Sequence, residues 1–225
     1  MINLKYEITD ETHPRYRNLR RIRALRDIRR YGVRAGDLGG YIESEHNLAQ
    51  AGDAWIADDA QVYGEAKVYG EAFVSGNAEV YGEARVFDDA HVFGNAEVYD
   101  EALVFGNADV SGDAHIFGNA LVSSNALVYD DAHIFGNAHI YGNAEVSGNA
   151  RVYDDANVSG DAEVSGDAEV SGDAEVSGDA RVFDNARVYG NASVSGDALV
   201  FENAEVSGNA VIDGKQKVSG AEQVS

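Results

Sequence analysis

The chain has 225 residues, 44% of them hydrophobic and 25% charged, with 25 glycines, one proline and no cysteine. That length suits one large domain or two small ones. The lack of cysteine excludes disulfides, thiolate metal sites and cysteine nucleophiles, and points to a reducing compartment. The formal net charge of −22 is unevenly spread: residues 1–50 hold ten Lys and Arg against seven Asp and Glu, a net of +3, which leaves −25 for residues 51–225. A basic head precedes an acidic body.

The opening sequence, MINLKYEITDETHPRYRNLRR, has no apolar run of signal-peptide length. No segment approaches the roughly 18 continuous apolar residues that would span a membrane. The reading is a soluble cytoplasmic protein with no membrane partner. Leu4, Tyr6 and Ile8 alternate with Lys5 and Glu7, the pattern of a strand. The following RNLRRIRALRDIRRYG admits a helix, by its density of Arg and Leu, or a strand, by the alternation Ile22, Ala24. The expectation for residues 1–50 is a small β-rich cap. Its arginines, chiefly Arg20, Arg21, Arg23, Arg26, Arg29 and Arg30, form a basic patch that could bind nucleic acid or dock onto an acidic rod, its own or a neighbour's. Repulsion from a body at −25 argues against direct nucleic-acid binding.

From residue 51 a period of six takes over. Val or Ile recurs at every sixth position from Ile56 to Val224 without an insertion, and alanine stands two residues before it from Ala54 to Ala210. The unit is A-x-V-x-G-[DNE]. A period of six fits neither an α-helix nor a long strand, but it fits a strand of about four residues closed by a two-residue corner. Alternation sends Ala and Val to one face and the x positions to the other. Gly and the Asn or Asp after it are the residues able to take positive φ, so the corner lies there. Three such sides make a triangular coil of 18 residues, and about nine coils make a rod of about 43 Å at the spacing of paired strands. The interior is Val and Ile, with Ala where a tight corner leaves little room.

Val62 with Ala60 and Ile116 with Ala114, and every unit between, give the chain a pattern that resembles the hexapeptide-repeat proteins. The resemblance implies an all-β fold, a single-stranded left-handed parallel β-helix, over residues 51–214, with the left hand coming from the resemblance alone. The portions GDLGGYI and AGDAWI are also similar to the leader of a group of uncharacterised bacterial and phage β-solenoid proteins often labelled as transferases. Residues 215–225 read as a degenerate C-terminal cap, since Gln216 and Glu222 replace the corner alanine and Lys215 and Lys217 enter. Polar residues there blunt an open edge.

The superfamily includes acyl-coenzyme A-dependent acyltransferases, so the resemblance implies acyl transfer as one candidate activity, with a trimer, a histidine base and an inserted loop or C-terminal helix to complete the site. No loop interrupts this register. His91, His115, His133 and His139 all take the variable outward position before the central residue, and no carboxylate is uniquely placed to orient them, so no catalytic residue is assigned. Stacked corner carboxylates such as Asp161, Asp179 and Asp197 raise calcium binding. Asn replaces Asp in about half the units, however, which says the corner wants a short residue tolerant of the left-handed conformation more than a charge. No metal site and no cofactor are expected.

Two surfaces remain. Sorted by 18, the position after the central residue carries Tyr63, Tyr81, Tyr99, Phe117, Phe135 and Tyr153 in consecutive coils on one side, and Tyr69, Phe87 and Phe105 on the next. Such rings stabilise a sheet by stacking, or form an apolar stripe that a partner covers. The second surface is the charge, about one negative charge per 1.8 Å of rod against about one per 1.7 Å in duplex DNA. The leading expectation is a non-enzymatic structural or interaction module that self-associates, with a trimer favoured and a further protein partner possible. The alternatives are a DNA mimic, as a phage inhibitor of a nucleic-acid-binding host protein would be, and the acyltransferase. On the self-association reading, the three AEVSGD copies between Asp161 and Ala180, where the aromatics lapse, are a spacer.

Overall fold

Alternation in the head and the six-residue period in the body give two kinds of β structure that share one sheet. In the computed structural model, which describes residues 4–225, β1 (Tyr6–Thr12), β2 (Arg20–Ala24) and β3 (Leu38–Ile42) form an antiparallel meander. RNLRRIRALRDIRRYG therefore divides between β2 and a single 3-10 turn at Arg29–Tyr31. The alternation of buried Ile22 and Ala24 with Arg21 and Arg23 outweighs helix propensity here, because one face has a core to cover. β3 then pairs in parallel with Gln61–Val62, placing Ile42 opposite Val62. The cap's sheet thus runs without a break into one side of the rod, thirteen strands in all.

The other two sides begin at Trp55–Ile56 and Lys67–Val68 and hold ten and nine strands. Every strand pairs in parallel with the one 18 residues on, as Val92 does with Val110. The result is a parallel β-solenoid of about ten turns. Strands are two residues long where about four were expected. Pairing nevertheless extends past them: the Trp55 and Ala57 amides donate to the carbonyls of Ala72 and Val74 at 2.9 and 2.8 Å, and the same step of 17 recurs up the rod. Inside, the Ala, Val and Ile of each unit are fully buried through most of the rod. Residues 215–225 continue the coil. Lys217–Val218 and Gln223–Val224 still pair in parallel with the turn below, while Gln216 and Glu222 in the alanine position are exposed.

The left-handed conformation is confined to the first of the two corner residues, from Gly64 (φ 65°) to Gly220 (φ 68°), and the Asn or Asp after it does not adopt it. Tolerance of positive φ therefore does not explain why Asn and Asp interchange at that second position. Where the first residue is not glycine, its side chain usually compensates. Asp58, Asp100, Asp130 and Asp154 each accept a hydrogen bond from the amide of the glycine one turn on, at 3.1 to 3.3 Å. Gly142 shows what is otherwise at stake, since a Cβ there would lie 2.9 Å from both the backbone N and O of Gly160. Gly142→Ala is expected to cost about 2 kcal/mol, from the left-handed backbone and the close approach together. Gly142→Asp should cost less, because its carboxylate can reach the Gly160 amide. Urea denaturation of both variants decides the matter, and equal losses would show that the carboxylate–amide bond contributes nothing.

The head closes one end of the rod. Lys5 is fully buried and donates from Nζ to the Ala54 carbonyl at 2.7 Å. The Tyr6 hydroxyl donates to the Leu48 carbonyl at 2.7 Å. Asn47, buried, donates from Nδ2 to the carbonyls of Gly64 and Ala66 at 3.0 Å each, which satisfies backbone that would otherwise face the cap unpaired.

Candidate functional site

Regular coil spacing turns identical outward positions into columns. Tyr63, Tyr81, Tyr99, Phe117, Phe135 and Tyr153 form one unbroken stack, with ring centroids 4.9 to 5.1 Å apart and planes within 4° of parallel. Tyr69, Phe87 and Phe105 form a second at 4.9 Å. These separations lie in the favourable range for offset stacking. The faces of these nine rings cover one another, so all nine are half-buried, not openly exposed as a bare stripe would be. Some of the rod's tyrosine hydroxyls are also engaged. Tyr63 and Tyr81 donate to Glu79 and Glu97, each at 3.0 Å, and Tyr129 donates to Glu145. Burial first, and then the carboxylate partner, push the Tyr63 and Tyr81 phenols far above the usual tyrosine range. They therefore remain hydrogen-bond donors at neutral and mildly alkaline pH.

The second corner residue builds another column. Asn107 donates to Asn125, Asn125 to Asn143 and Asn143 to Asp161, at 3.1, 2.9 and 2.8 Å. Asn77, Asn95 and Asp113 form a shorter ladder, as do Asn119, Asn137 and Asp155. An amide can both donate and accept, so it passes the ladder on, and a carboxylate, which can only accept, ends it. That difference accounts for which of the two stands in each of these turns.

The arginines of the head do not form one free patch. Arg21 is half-buried and donates from Nε to Gly39 and from its terminal nitrogens to Tyr41, to the Asp58 carbonyl and to Glu11. Arg26 donates to Gly52 and pairs with Asp53 at 3.0 Å, and Arg30 pairs with Asp89 at 2.5 Å. Arg23 pairs with Glu7 at 3.2 Å inside the head. Arg20 and Arg29 are exposed and make no ion pair among the described residues. Tyr31 completes the clasp: its hydroxyl donates to the Glu71 carbonyl and its ring stacks on Phe73 at 4.4 Å. Three of the six arginines thus hold the chain's own rod, the docking alternative raised by the charge asymmetry. Nothing in the sequence marked which three.

Of the histidines, His115 and His133 stack at 5.0 Å, and His91 lies 3.4 Å from Asp109. Among the described residues no group of three or more His, Asp or Glu is arranged to hold a metal ion, and no helix is long and apolar enough to cross a membrane. Sequence reasoning missed Lys5, Asn47 and Tyr31 as the contacts that seat the cap. Only Asn47 left a trace, as the last residue of Ser44-x-x-Asn47, a capping box around the turn Glu45–Asn47.

Columns of stacked rings, amide ladders at the corners and an uninterrupted parallel coil define a β-solenoid repeat protein. Residues 180–196, just under one turn, match a family model described as the YdcK beta solenoid repeat. No curated protein matches the chain.

Proposed function

We propose that this β-solenoid is a non-catalytic rod, a structural or interaction module that presents a repetitive acidic and aromatic surface and self-associates, with a trimer as the favoured state. The observation that carries this reading is the register. It runs from Ile56 to Val224 with no inserted loop, so the columns present extended flat sides in place of an enclosed pocket. Flat sides with aligned rings suit contact with another rod. Light scattering should report a mass near three chains for the wild type and a lower mass for Tyr99→Ser combined with Phe117→Ser. A monomer at every concentration would refute self-association. Acyl transfer is tested separately by calorimetry with acetyl-coenzyme A, where heat of binding would count against the non-catalytic reading.

A second reading, a mimic of DNA that occupies the nucleic-acid site of another protein, is favoured by the net charge of −25 on residues 51–225. Capture of a DNA-binding protein that excess duplex displaces would support it, and a complex that survives excess duplex would count against it.

A further inference from the structure

Most rings of the rod have another ring one turn away. Phe93, Tyr129, Tyr141 and Tyr189 do not: serine stands on both sides of each, Ser75 and Ser111, Ser111 and Ser147, Ser123 and Ser159, Ser171 and Ser207. Phe93, Tyr141 and Tyr189 are the exposed aromatics of the rod, at 40%, 43% and 39%. At Ser171 the main column breaks for a single turn between Tyr153 and Tyr189. Neighbouring rings in that column sit 4.9 Å apart, so two turns leave roughly 10 Å between the two tyrosines, and a planar ring placed midway would stack on both. The gap is an open notch of about 260 Å³ lined by Tyr153, Glu169, Ser171, Arg187, Tyr189 and Glu205.

The rim defines the chemistry of a ring that would enter. Glu169 is shared between two guanidiniums, Arg187 with its Nε 3.5 Å away and Arg151 at 3.9 Å, so it has no charge to spare for a ligand. Glu205 accepts from the Tyr189 hydroxyl at 3.4 Å and the Gln223 amide at 3.1 Å, and among the described residues it forms no ion pair, although Arg187 stands opposite it on the neighbouring strand. The rod's net charge repels anions from every side. The equivalent gap at Ser123 is flanked by Leu121, His139 and Asn157 and has no carboxylate in that row, while the gap at Ser111, between Phe93 and Tyr129, has Asp109 beside His91 and Glu145 beside the Tyr129 hydroxyl.

We infer that the break at Ser171 is a binding site for a small planar aromatic amine, its ring held between Tyr153 and Tyr189 and its ammonium group by Glu205. The site shares only Tyr153 with the unbroken columns, and Tyr99 and Phe117, whose replacement tests contact between rods, lie two turns or more away from it. Tryptamine is the probe, titrated into the full chain by calorimetry. In a Ser111→Tyr background, which fills the gap between Phe93 and Tyr129 beside Glu145, one molecule should bind per chain, and indole-3-acetate, with the same ring and the opposite charge, should bind far more weakly. Ser171→Tyr in that background continues the column and fills the gap, and it should abolish binding. Ser123→Tyr fills the gap that lacks the carboxylate and should leave binding unchanged. Tyr189→Ser removes one wall and should weaken binding roughly tenfold, the scale of one lost stacking face. No heat with the wild type, or binding that survives Ser171→Tyr in the Ser111→Tyr background, would overturn the inference. Equal binding of indole-3-acetate would overturn the assignment of Glu205.

Discussion

Truncating Ile134 to alanine is expected to lower the unfolding free energy by about 3 kcal/mol, the usual scale for removing three carbons from a packed interior. Ile134 is fully buried near mid-rod and lies between Ile116 and Val152 in adjacent turns. A solenoid turn touches only the turns next to it, so a cavity there weakens the interface above as well as the one below. The same change at Ile212, which has no turn beyond it on its side of the rod, should cost clearly less. Urea denaturation of the two variants measures the difference. A loss below about 1 kcal/mol for Ile134→Ala would mean that the core relaxes around the missing methyls and that stacking and ladders dominate the rod's stability.

The second large effect is one of pH. Burial, reinforced by nearby Arg26 and opposed by Asp53 and Glu71, pushes the Lys5 amine down to about 8 from its ordinary 10.5. Below about pH 8 the amine is charged in both the folded and the unfolded chain, and the folded state bears the whole cost of a buried ammonium. Between about 8 and 10.5 the folded chain loses the proton first and the unfolded chain binds more protons, so stability rises with pH. A shift of that size corresponds to about 3 kcal/mol. Lys5→Met should remove this rise. At pH 7 it should be at least as stable as the wild type, since the gain from discarding the charge exceeds the single bond lost to the Ala54 carbonyl. The wild type and variant must be compared at each pH, because tyrosines held protonated in the fold oppose the trend above about pH 10. Parallel stability curves for the two proteins between pH 7 and 10.5 would show that Lys5 stays charged in the folded state.

The rod was legible because a single rule places each residue. Ala, Val and Ile recur at positions that can only be interior, and glycine recurs where the chain turns. Adding 18 to a residue number names its neighbour, so the columns from Tyr63 to Tyr153 could be listed before any coordinate was known. Whether such rings lie bare or cover one another depends on their tilt and spacing. Only the structure shows that they stack at 4.9 Å with their faces hidden. The corner was half-legible. Gly and Asp mark it plainly, but left-handed backbone at the first position and the amide ladder at the second cannot be told apart by residue type, because Asn and Asp suit both roles. The head was least legible, for it has no repeat to index it. Lys5 meets Ala54, and Tyr31 meets Glu71, across 49 and 40 residues of chain, and separations like these leave no periodic trace.

The amide ladders and ring stacks depend on residues 18 apart falling into line, and this gives each six-residue unit a rotational meaning. Losing one AEVSGD copy from Asp161–Ala180 would shorten the rod by a third of a turn and swing everything beyond it through about 120°. Tyr189 would leave the side that carries Tyr153, and the notch at Ser171 would vanish although no residue lining it had changed. Losing all three copies would shorten the rod by one full turn and return every downstream column to its original bearing. The number of units therefore sets the compass heading of the far end relative to the capped end, and only changes in threes preserve it.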